Sequence, residues 1–402
     1  MSNTLLTMSQ ITKEAMLELK NQLVMAKSVT REYDDQFAKK GAKIGSVANI
    51  RKPAKYVVND GPTLVVQDHE QTSVAVTIDK QKHVGMQFTS KDLTLSIDEF
   101  RDLIIKPAIA PLVNQVDKDL LALYVDVYNC AGTPGTTPAD LQPYLEAKRR
   151  LAHAGAPVGL KRMVIDPLAE AVIINALSGK FHSSEQIKKQ YENGEMGLAA
   201  GFDWAMAQNV AIHTCGTQGG TPAVNGTTAE GASSLVTDGW SNSITDVLKA
   251  GDVFTIAGVY AVNPQTKATL SVLKQFVVTA DVDSDGSGNS TLSISPAIYA
   301  SGKDQNVSAL PANDALLTVV GASAVVSPAN LAFAKQAFAL ACVDLEMPSG
   351  VDKAARVSDP ESGLSLRMVR DYDINNDRFP CRLDIMYGVK TLYPELACRV
   401  MG

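Results

Sequence analysis

The stretch Lys249-Ala-Gly-Asp-Val-Phe-Thr-Ile-Ala-Gly-Val-Tyr260, with its continuation at Gln275-Phe-Val-Val-Thr-Ala280, decides how this chain is read. Branched and aromatic side chains crowd into short runs, separated by glycines and polar residues. Such side chains pack well on a pleated surface, so the runs predict strands. Turn signals follow at Asn263-Pro264, at Asp283-Ser-Asp-Gly-Ser-Gly288 and at Ala312-Asn-Asp314. Several short strands at this spacing predict a small barrel or sandwich between Val253 and about Val320. The rest of the chain alternates helix and strand. The β unit therefore reads as an insertion into an α+β chain, whose C-terminal strands return from about Leu364 to complete the older domain.

Composition sets the outer bounds. At 402 residues, 45% apolar and 20% charged, the chain is long enough for two or three domains with real cores. A formal net charge of −6 argues against a surface that grips nucleic acid throughout, because phosphate neutralisation needs clustered lysine and arginine. The five cysteines, at 130, 215, 342, 381 and 398, show no Cys-x-x-Cys spacing. Their odd number argues against a fully paired secreted framework and favours a reducing compartment. The N-terminus carries no basic region followed by an apolar core, and no apolar run reaches the roughly 18 residues of a membrane span.

Upstream of the insert, Ser9 to Tyr33 predicts a helix with Ile11, Ala15, Leu19, Leu23 and Ala26 on one face. No sequence neighbour is long enough to cover that stripe, so it is expected to pack elsewhere on the subunit or on another copy. Lys39 to Asn49 reads as a linker. From Ala54 to Leu95 the chain is strand-rich. Val74, Val76 and Ile78 alternate, Asp79-Lys-Gln-Lys82 is expected to turn, and Val84, Met86 and Phe88 alternate again, which predicts an extended hairpin in need of a partner surface. Ser96 to Ile105 predicts a helix broken by Pro107 and Pro111. A second helix then carries Val113, Val116, Leu120, Leu123, Tyr124 and Val127 at helical spacing. Further helices are expected over Asp140 to His153 and Pro167 to Leu177, with a strand at Lys161 to Ile165 and another that Gly201-Phe-Asp-Trp204 leads into and that ends near His213. Gly216 to Asn242, rich in glycine, threonine and serine, reads as a linker. Gln336 to Leu345, Leu364 to Asp371 and Arg382 to Leu392 read as strands of the main body.

Few residues suggest chemistry. Asp281, Asp283 and Asp285, with Gly286, begin like a calcium loop, but Leu292 stands where the closing glutamate belongs, and the flanks read as strands. A polar hairpin turn is the simpler reading. His213-Thr-Cys215 offers two metal ligands without a companion pattern. Asp371, Asp373 and Asp377 surround Asn375-Asn376, which reads as a turn. Lys148-Arg149-Arg150 and Lys188-Lys189 read as solvated faces or as contacts to acidic patches on a neighbour. Signatures for a nucleophile elbow, a phosphate loop or a zinc protease are absent from the sequence. No catalytic, cofactor or metal residue is therefore assigned, and the chain is not expected to be an enzyme.

Lys249-Ala-Gly-Asp-Val-Phe-Thr-Ile-Ala-Gly258, Ala200-Gly-Phe-Asp203 and Met386-Tyr-Gly-Val389 with Pro394-Glu395 occur in an order that covers nearly the whole chain. In this the chain resembles the major capsid proteins of tailed bacteriophages with the Hong Kong 97-type fold, in the short-tailed branch whose coat subunit carries an inserted β-barrel. The resemblance implies an N-terminal arm (1–53), an extended β-hairpin loop (54–95), a peripheral domain with a spine helix (96–137), an axial domain (138–215), an inserted all-β barrel domain (216–326), and return strands of the axial and peripheral domains (327–402). It also implies a coat protein that self-assembles into an icosahedral shell around double-stranded DNA. The implied partners are copies of itself in pentamers and hexamers, a separate scaffolding protein, a portal protein, an optional decoration protein and packaged DNA held without sequence-specific contacts. No cofactor and no membrane are implied, and assembly is expected in the cytoplasm of a bacterial host.

The insert's first part lacks the long acidic loop expected of that branch, and no scaffold-like extension precedes the arm. Shell expansion during maturation would require a bendable arm and spine, and Pro107 and Pro111 sit where a bend could occur. Lys80 and Lys82 are cross-link donors by position only, with no acceptor to match. Two other readings compete: a phage tail or adhesion protein that displays the β unit, and an enzyme with a weak metal site at Asp281, Asp283 and Asp285.

Overall fold

The computed structural model describes residues 12–13, 15–19, 23–31, 47–58, 61–62, 64, 66–67, 71–89, 106–177, 197–359 and 364–402. The expected helix at Ser96 to Ile105 and the pair Lys188-Lys189 lie outside these residues. The chain is mixed α+β and divides into two compact units. One comprises Met1–Lys52, Ser73–Leu120 and Phe338–Lys390, the other Pro53–Thr72, Leu121–Ala337 and Thr391–Gly402.

The first unit is built on a five-stranded sheet. Its order is Phe338–Cys342, Arg378–Thr391, Leu364–Arg370, Lys353–Asp359, and Lys80–Thr89 also pairs with the long Arg378–Thr391 strand. Leu364, Leu366, Met368, Leu383, Ile385 and Tyr387 are buried. The expected hairpin between Val74–Ile78 and Val84–Phe88 does not form. Ser73–Thr77 pairs instead with Val47–Arg51, in part of what was expected to be linker. Lys80–Thr89 runs antiparallel to Arg378–Tyr387, from Thr89 opposite Arg378 to Lys80 opposite Tyr387. Alternation fixes which face of a strand is apolar but leaves its partner open. A ten-residue ladder to a distant strand satisfies more backbone groups than a local hairpin with little core. At the crossover, a Cβ on Gly388 would lie 2.1 Å from the Thr77 carbonyl oxygen, so only glycine fits there.

The helix Lys106–Leu121 runs through Pro111 without the expected break. Pro107 lies in its first turn, where the missing N–H is tolerated, and Pro111 is exposed. Ile109, Val113, Val116 and Leu120 form a fully buried stripe. At roughly 1.5–3 kcal/mol for each buried side chain, the stripe outweighs the roughly 3 kcal/mol cost of an interior proline. The helix ends at Leu121, and Ala122–Asp126 tightens into a 3-10 turn, so Leu123 to Val127 do not extend the α-helix.

The N-terminal helix is also shorter than expected. Residues 15–19 are helical, but the chain has left the helix by Leu23. Ala15, Leu19, Leu23 and Ala26 are nonetheless buried within the subunit, which covers its own stripe. Asp117 organises the turn that follows. Its carboxylate accepts the backbone N–H of Val24 (2.7 Å) and of Ala26 (3.0 Å). Burial pushes the Asp117 pKa up, against the lowering effect of these backbone bonds.

The second unit holds a seven-stranded sheet and a barrel. The sheet order is Cys130–Gly132, Ala397–Met401, Val326–Phe333, Lys161–Ile165, Phe202–Met206, Leu198–Ala199, with Ile212–Thr214 also on Val326–Phe333. The helices Gln142–His153 and Pro167–Leu177 supply Tyr144, Leu151, Ala169 and Ile173 to its core, beside Met163, Phe202 and Trp204. The barrel has the order Leu317–Val319, Val253–Val262, Thr269–Val278, Ser290–Ile298, Ala232–Trp240, Gly220–Val224. A bridge between Ala223 and Leu316 joins its two edges. Phe254 stacks on Phe276 with ring centroids 5.8 Å apart, surrounded by Leu235, Trp240, Ile256, Leu292 and Ile294.

The Gly216 to Asn242 segment is therefore not a linker: it contributes two of the six barrel strands. Its glycines are demanded by close approach. A Cβ on Gly220 would lie 2.2 Å from the Gly239 oxygen, and one on Gly239 would lie 2.5 Å from the Thr221 oxygen.

Candidate functional site

Two features of the second unit bear on function: exposed apolar surface and a buried polar centre. The exposed surface lies between the paired strands Val47–Arg51 and Ser73–Thr77, on residues 52–67. There Val58, Leu64 and Val66 are 87%, 85% and 80% exposed, and Tyr56 is 57% exposed. Gln67 clips this segment by accepting the Val57 N–H at 2.9 Å, and Lys55 reaches Asp304 at 3.0 Å. Single exposed apolar residues are ordinary, but four on one extended segment make a surface suited to a second protein. Val158, Leu160, Leu168 and Ile212 are further exposed apolar side chains in this unit.

The buried centre joins the barrel to the sheet beneath it. Tyr124 Oη lies 3.1 Å from His213 Nδ1, and His213 Nε2 lies 2.9 Å from Asp252 Oδ1. The other oxygen of Asp252 accepts the backbone N–H of Gly216 (2.9 Å) and of Lys249 (2.7 Å). Gly251, at φ +98°, turns the chain so that Asp252 faces inward and leaves room for the His213 ring. Arg399, 1% exposed, donates from Nη1 to the Gly251 carbonyl at 2.6 Å and lies over the Tyr124 ring at 5.7 Å. Its Nε and Nη2 have no hydrogen-bond partner among the described residues, and burial lowers its pKa. Gln275 extends the joint, accepting the Cys130 N–H at 2.8 Å and donating to the Cys130 carbonyl at 3.1 Å. Arg150 donates to the same Gln275 oxygen at 2.8 Å.

His213, Cys215 and Asp252 bring their ligand atoms within 4.8 Å of one another. Sequence spacing paired His213 with Cys215 but missed Asp252, which lies far along the chain. The only local signal was the Ala250-Gly251-Asp252 turn ahead of a strand. The arrangement favours a hydrogen-bonded latch over a metal site. Both ring nitrogens of His213 and both oxygens of Asp252 are already engaged. Burial, with the Asp252 charge second, pushes the Cys215 thiol up to about 11, so it is not a ready thiolate.

The other sequence candidates are not brought together. Asp281 and Asp283 each accept one backbone N–H, from Ala250 and Asp246 respectively, at 2.8 Å. Asp285 accepts Ser287 and Asn289 N–H groups, both at 2.8 Å. In the turn after Asp371, Asp373 holds Asn376 (2.7 Å) and Arg378 (3.1 Å). Of the basic triple, Lys148 and Arg149 are exposed and only Arg150 is half-buried. Lys148 bonds the Ala200 carbonyl at 2.9 Å, Arg149 bonds Glu146 at 2.7 Å, and Arg150 reaches Gln275. Lys80 pairs with Asp119 at 3.1 Å.

The second unit thus holds a hydrogen-bonded buried centre and several exposed apolar side chains. The chain belongs to the P22 coat protein family: the family model described as P22 coat protein, gene protein 5, matches residues 1–402. It is a phage major capsid protein, which associates with copies of itself to form the shell of the virion. Comparison with curated proteins gave no significant match. Among solved structures, Mycobacterium phage Che8 is similar at 14% identity, covering 94% of this chain and 91% of that one, with a TM-score of 0.43. The capsid of Ralstonia phage GP4 is similar at 8% identity, covering 93% and 86%, with a TM-score of 0.43. The CUS-3 coat protein I-domain matches 25% of this chain and 94% of its own length at 25% identity, with a TM-score of 0.19. These scores lie below 0.5, and the full-length family match carries the assignment.

Proposed function

We propose that this coat protein forms pentamers and hexamers that close into an icosahedral shell around double-stranded DNA, and that it makes and breaks no covalent bond in doing so. The observation that carries the reading is the family match over residues 1–402. The exposed segment at 52–67 supports it, because apolar area that the subunit leaves in water is available to a neighbour. Each contact can be weak when many act together in a closed lattice, and weak contacts let wrong additions dissociate.

On this reading the arm spans 1–53, the peripheral domain 96–137, the axial domain 138–215, the barrel 216–326 and the return strands 327–402. The extended loop falls within 54–95, and the segment between the paired strands Val47–Arg51 and Ser73–Thr77 serves as its reaching part. A separate scaffolding chain, a portal, an optional decoration protein and packaged DNA without sequence-specific contacts complete the partner set. Assembly takes place in the bacterial cytoplasm. The net charge of −6 suits an inner wall that does not hold DNA tightly. Electron microscopy of the purified chain, with and without a co-expressed scaffolding chain, tests the proposal. Capsomer rings or closed shells are expected, and trimers or fibres alone would overturn it.

A further inference from the structure

A cleft of about 230 Å3 opens in the second unit, between the end of helix Gln142–His153, the strand Thr269–Val278 and the turn at Pro394–Leu396. Five lysine and arginine side chains line it, Lys55, Arg150, Lys267, Lys274 and Lys303, against two carboxylates, Asp304 and Glu395. Asp304 is already paired with Lys55 at 3.0 Å. Arg150 is held by Glu146 at 3.2 Å and by Gln275. Lys267 donates to the carbonyls of Lys303 (2.8 Å) and Gln305 (3.3 Å).

Lys274 differs from these. Its Nζ lies 4.4 Å from the centroid of the Tyr128 ring, and no hydrogen bond or ion pair reaches it from the described residues. An ammonium carries three donors, and a ring face satisfies none of them fully. The residue is half-buried, yet burial of its charged end pushes its pKa down to about 8, with Glu395 only partly opposing the shift. Lys267 is lowered too, by burial and then by the charge of Lys55. The cleft thus gathers positive charge beyond what its own carboxylates neutralise, and leaves one ammonium without an acceptor among the described residues. A bound oxyanion would supply that acceptor and relieve the crowding of like charges.

We propose that this cleft binds a phosphate group, with Lys274 as its principal ligand and Lys267 and Arg150 as flanking charges. The phosphate could be free in solution or belong to a nucleic-acid backbone, since the chemistry recognised is the same.

Isothermal titration of the full chain with pyrophosphate, with sulfate as a mimic of constant charge, and with a single-stranded oligonucleotide tests it. Saturable binding of pyrophosphate and sulfate is expected at pH 7. Lys274→Met, which keeps the stem and removes the charge, is expected to weaken binding at least tenfold. Lys249→Met, outside the cleft, leaves it unchanged. If Lys274→Met fails to fold, the wild-type pH profile decides. Sulfate affinity should fall ~10-fold between pH 7 and pH 9 as an ammonium with a pKa near 8 loses its proton. Oligonucleotide binding that Lys274→Met also weakens assigns the backbone as a source; pyrophosphate binding without oligonucleotide binding assigns a free anion. No heat from pyrophosphate or sulfate up to about 10 mM, binding indifferent to Lys274→Met, or a flat sulfate profile from pH 7 to 9 each overturns the proposal.

Discussion

Replacing Asp252 by alanine should be among the most damaging single changes to this subunit. Asp252 is 1% exposed and touches three donors. Its oxygens accept the Gly216 and Lys249 backbone N–H groups and face His213 Nε2 at 2.9 Å. Hydrogen bonds to a charged group contribute roughly 1.5–3 kcal/mol each, and a buried donor left without a partner costs about 1–3 kcal/mol. Two backbone donors and one ring nitrogen would lose their partner, with water able to replace only part of it. The expected loss is therefore about 3–6 kcal/mol, a large fraction of the roughly 5–15 kcal/mol that holds an ordinary domain folded. Asp281→Ala is the matched control, since that exposed carboxylate accepts one bond, from Ala250 at 2.8 Å. Urea unfolding followed by tryptophan fluorescence reads the difference, because Trp240 is packed in the barrel core and Trp204 in the sheet core. A loss for Asp252→Ala within about 1 kcal/mol of that for Asp281→Ala would refute the claim that this carboxylate joins barrel to sheet.

Three further outcomes are expected. Gly388→Ala places a Cβ 2.1 Å from the Thr77 oxygen and should lower the melting temperature by several degrees, at a cost of at least about 1–3 kcal/mol; a melt within one degree of wild type would show that the crossover is loose. The double change Val58→Ser and Leu64→Ser removes exposed apolar surface only. Monomer unfolding should move by less than about 0.5 kcal/mol while assembly, followed by light scattering, slows markedly; unchanged assembly would remove the 52–67 segment from the interface. Lys274, with its folded pKa lowered to about 8, binds fewer protons folded than unfolded between that value and its ordinary one near 10.5. Stability contributed by this group therefore rises as pH climbs through that window and is lost as pH falls. Lys274→Met should flatten the rise in anion-free buffer, and identical slopes for the two proteins would contradict the burial of the ammonium.

Local elements were legible wherever a few neighbouring residues carried the signal. The strand Lys161–Ile165 lies where it is expected, and the helix Pro167–Leu177 lies where an N-terminal proline and a following glycine put it. The β character from Val253 onward was equally clear. The reading failed where a residue's role depended on something distant. Pro111 looked like a break because the buried stripe of Ile109, Val113, Val116 and Leu120 was not weighed against it. Gly220 and Gly239 looked like linker residues because glycine signals both freedom and close approach, and only the facing backbone distinguishes the two. Asp252 looked like an ordinary turn residue until the fold set it beside His213.

By itself the sequence determined the mixed α+β character of the chain, a run of short strands from Val253 onward and the apolar face of most strands. These follow from periodicity and turn chemistry, which act over a few residues. Only the tertiary structure decided that Lys80–Thr89 pairs with Arg378–Tyr387 and not with its neighbour, and that Tyr124, His213, Asp252 and Arg399 meet in one buried centre. Strand partners and buried polar contacts are chosen by the burial and hydrogen bonding of the whole unit, and segments some 300 residues apart compete on equal terms with adjacent ones once the chain is compact.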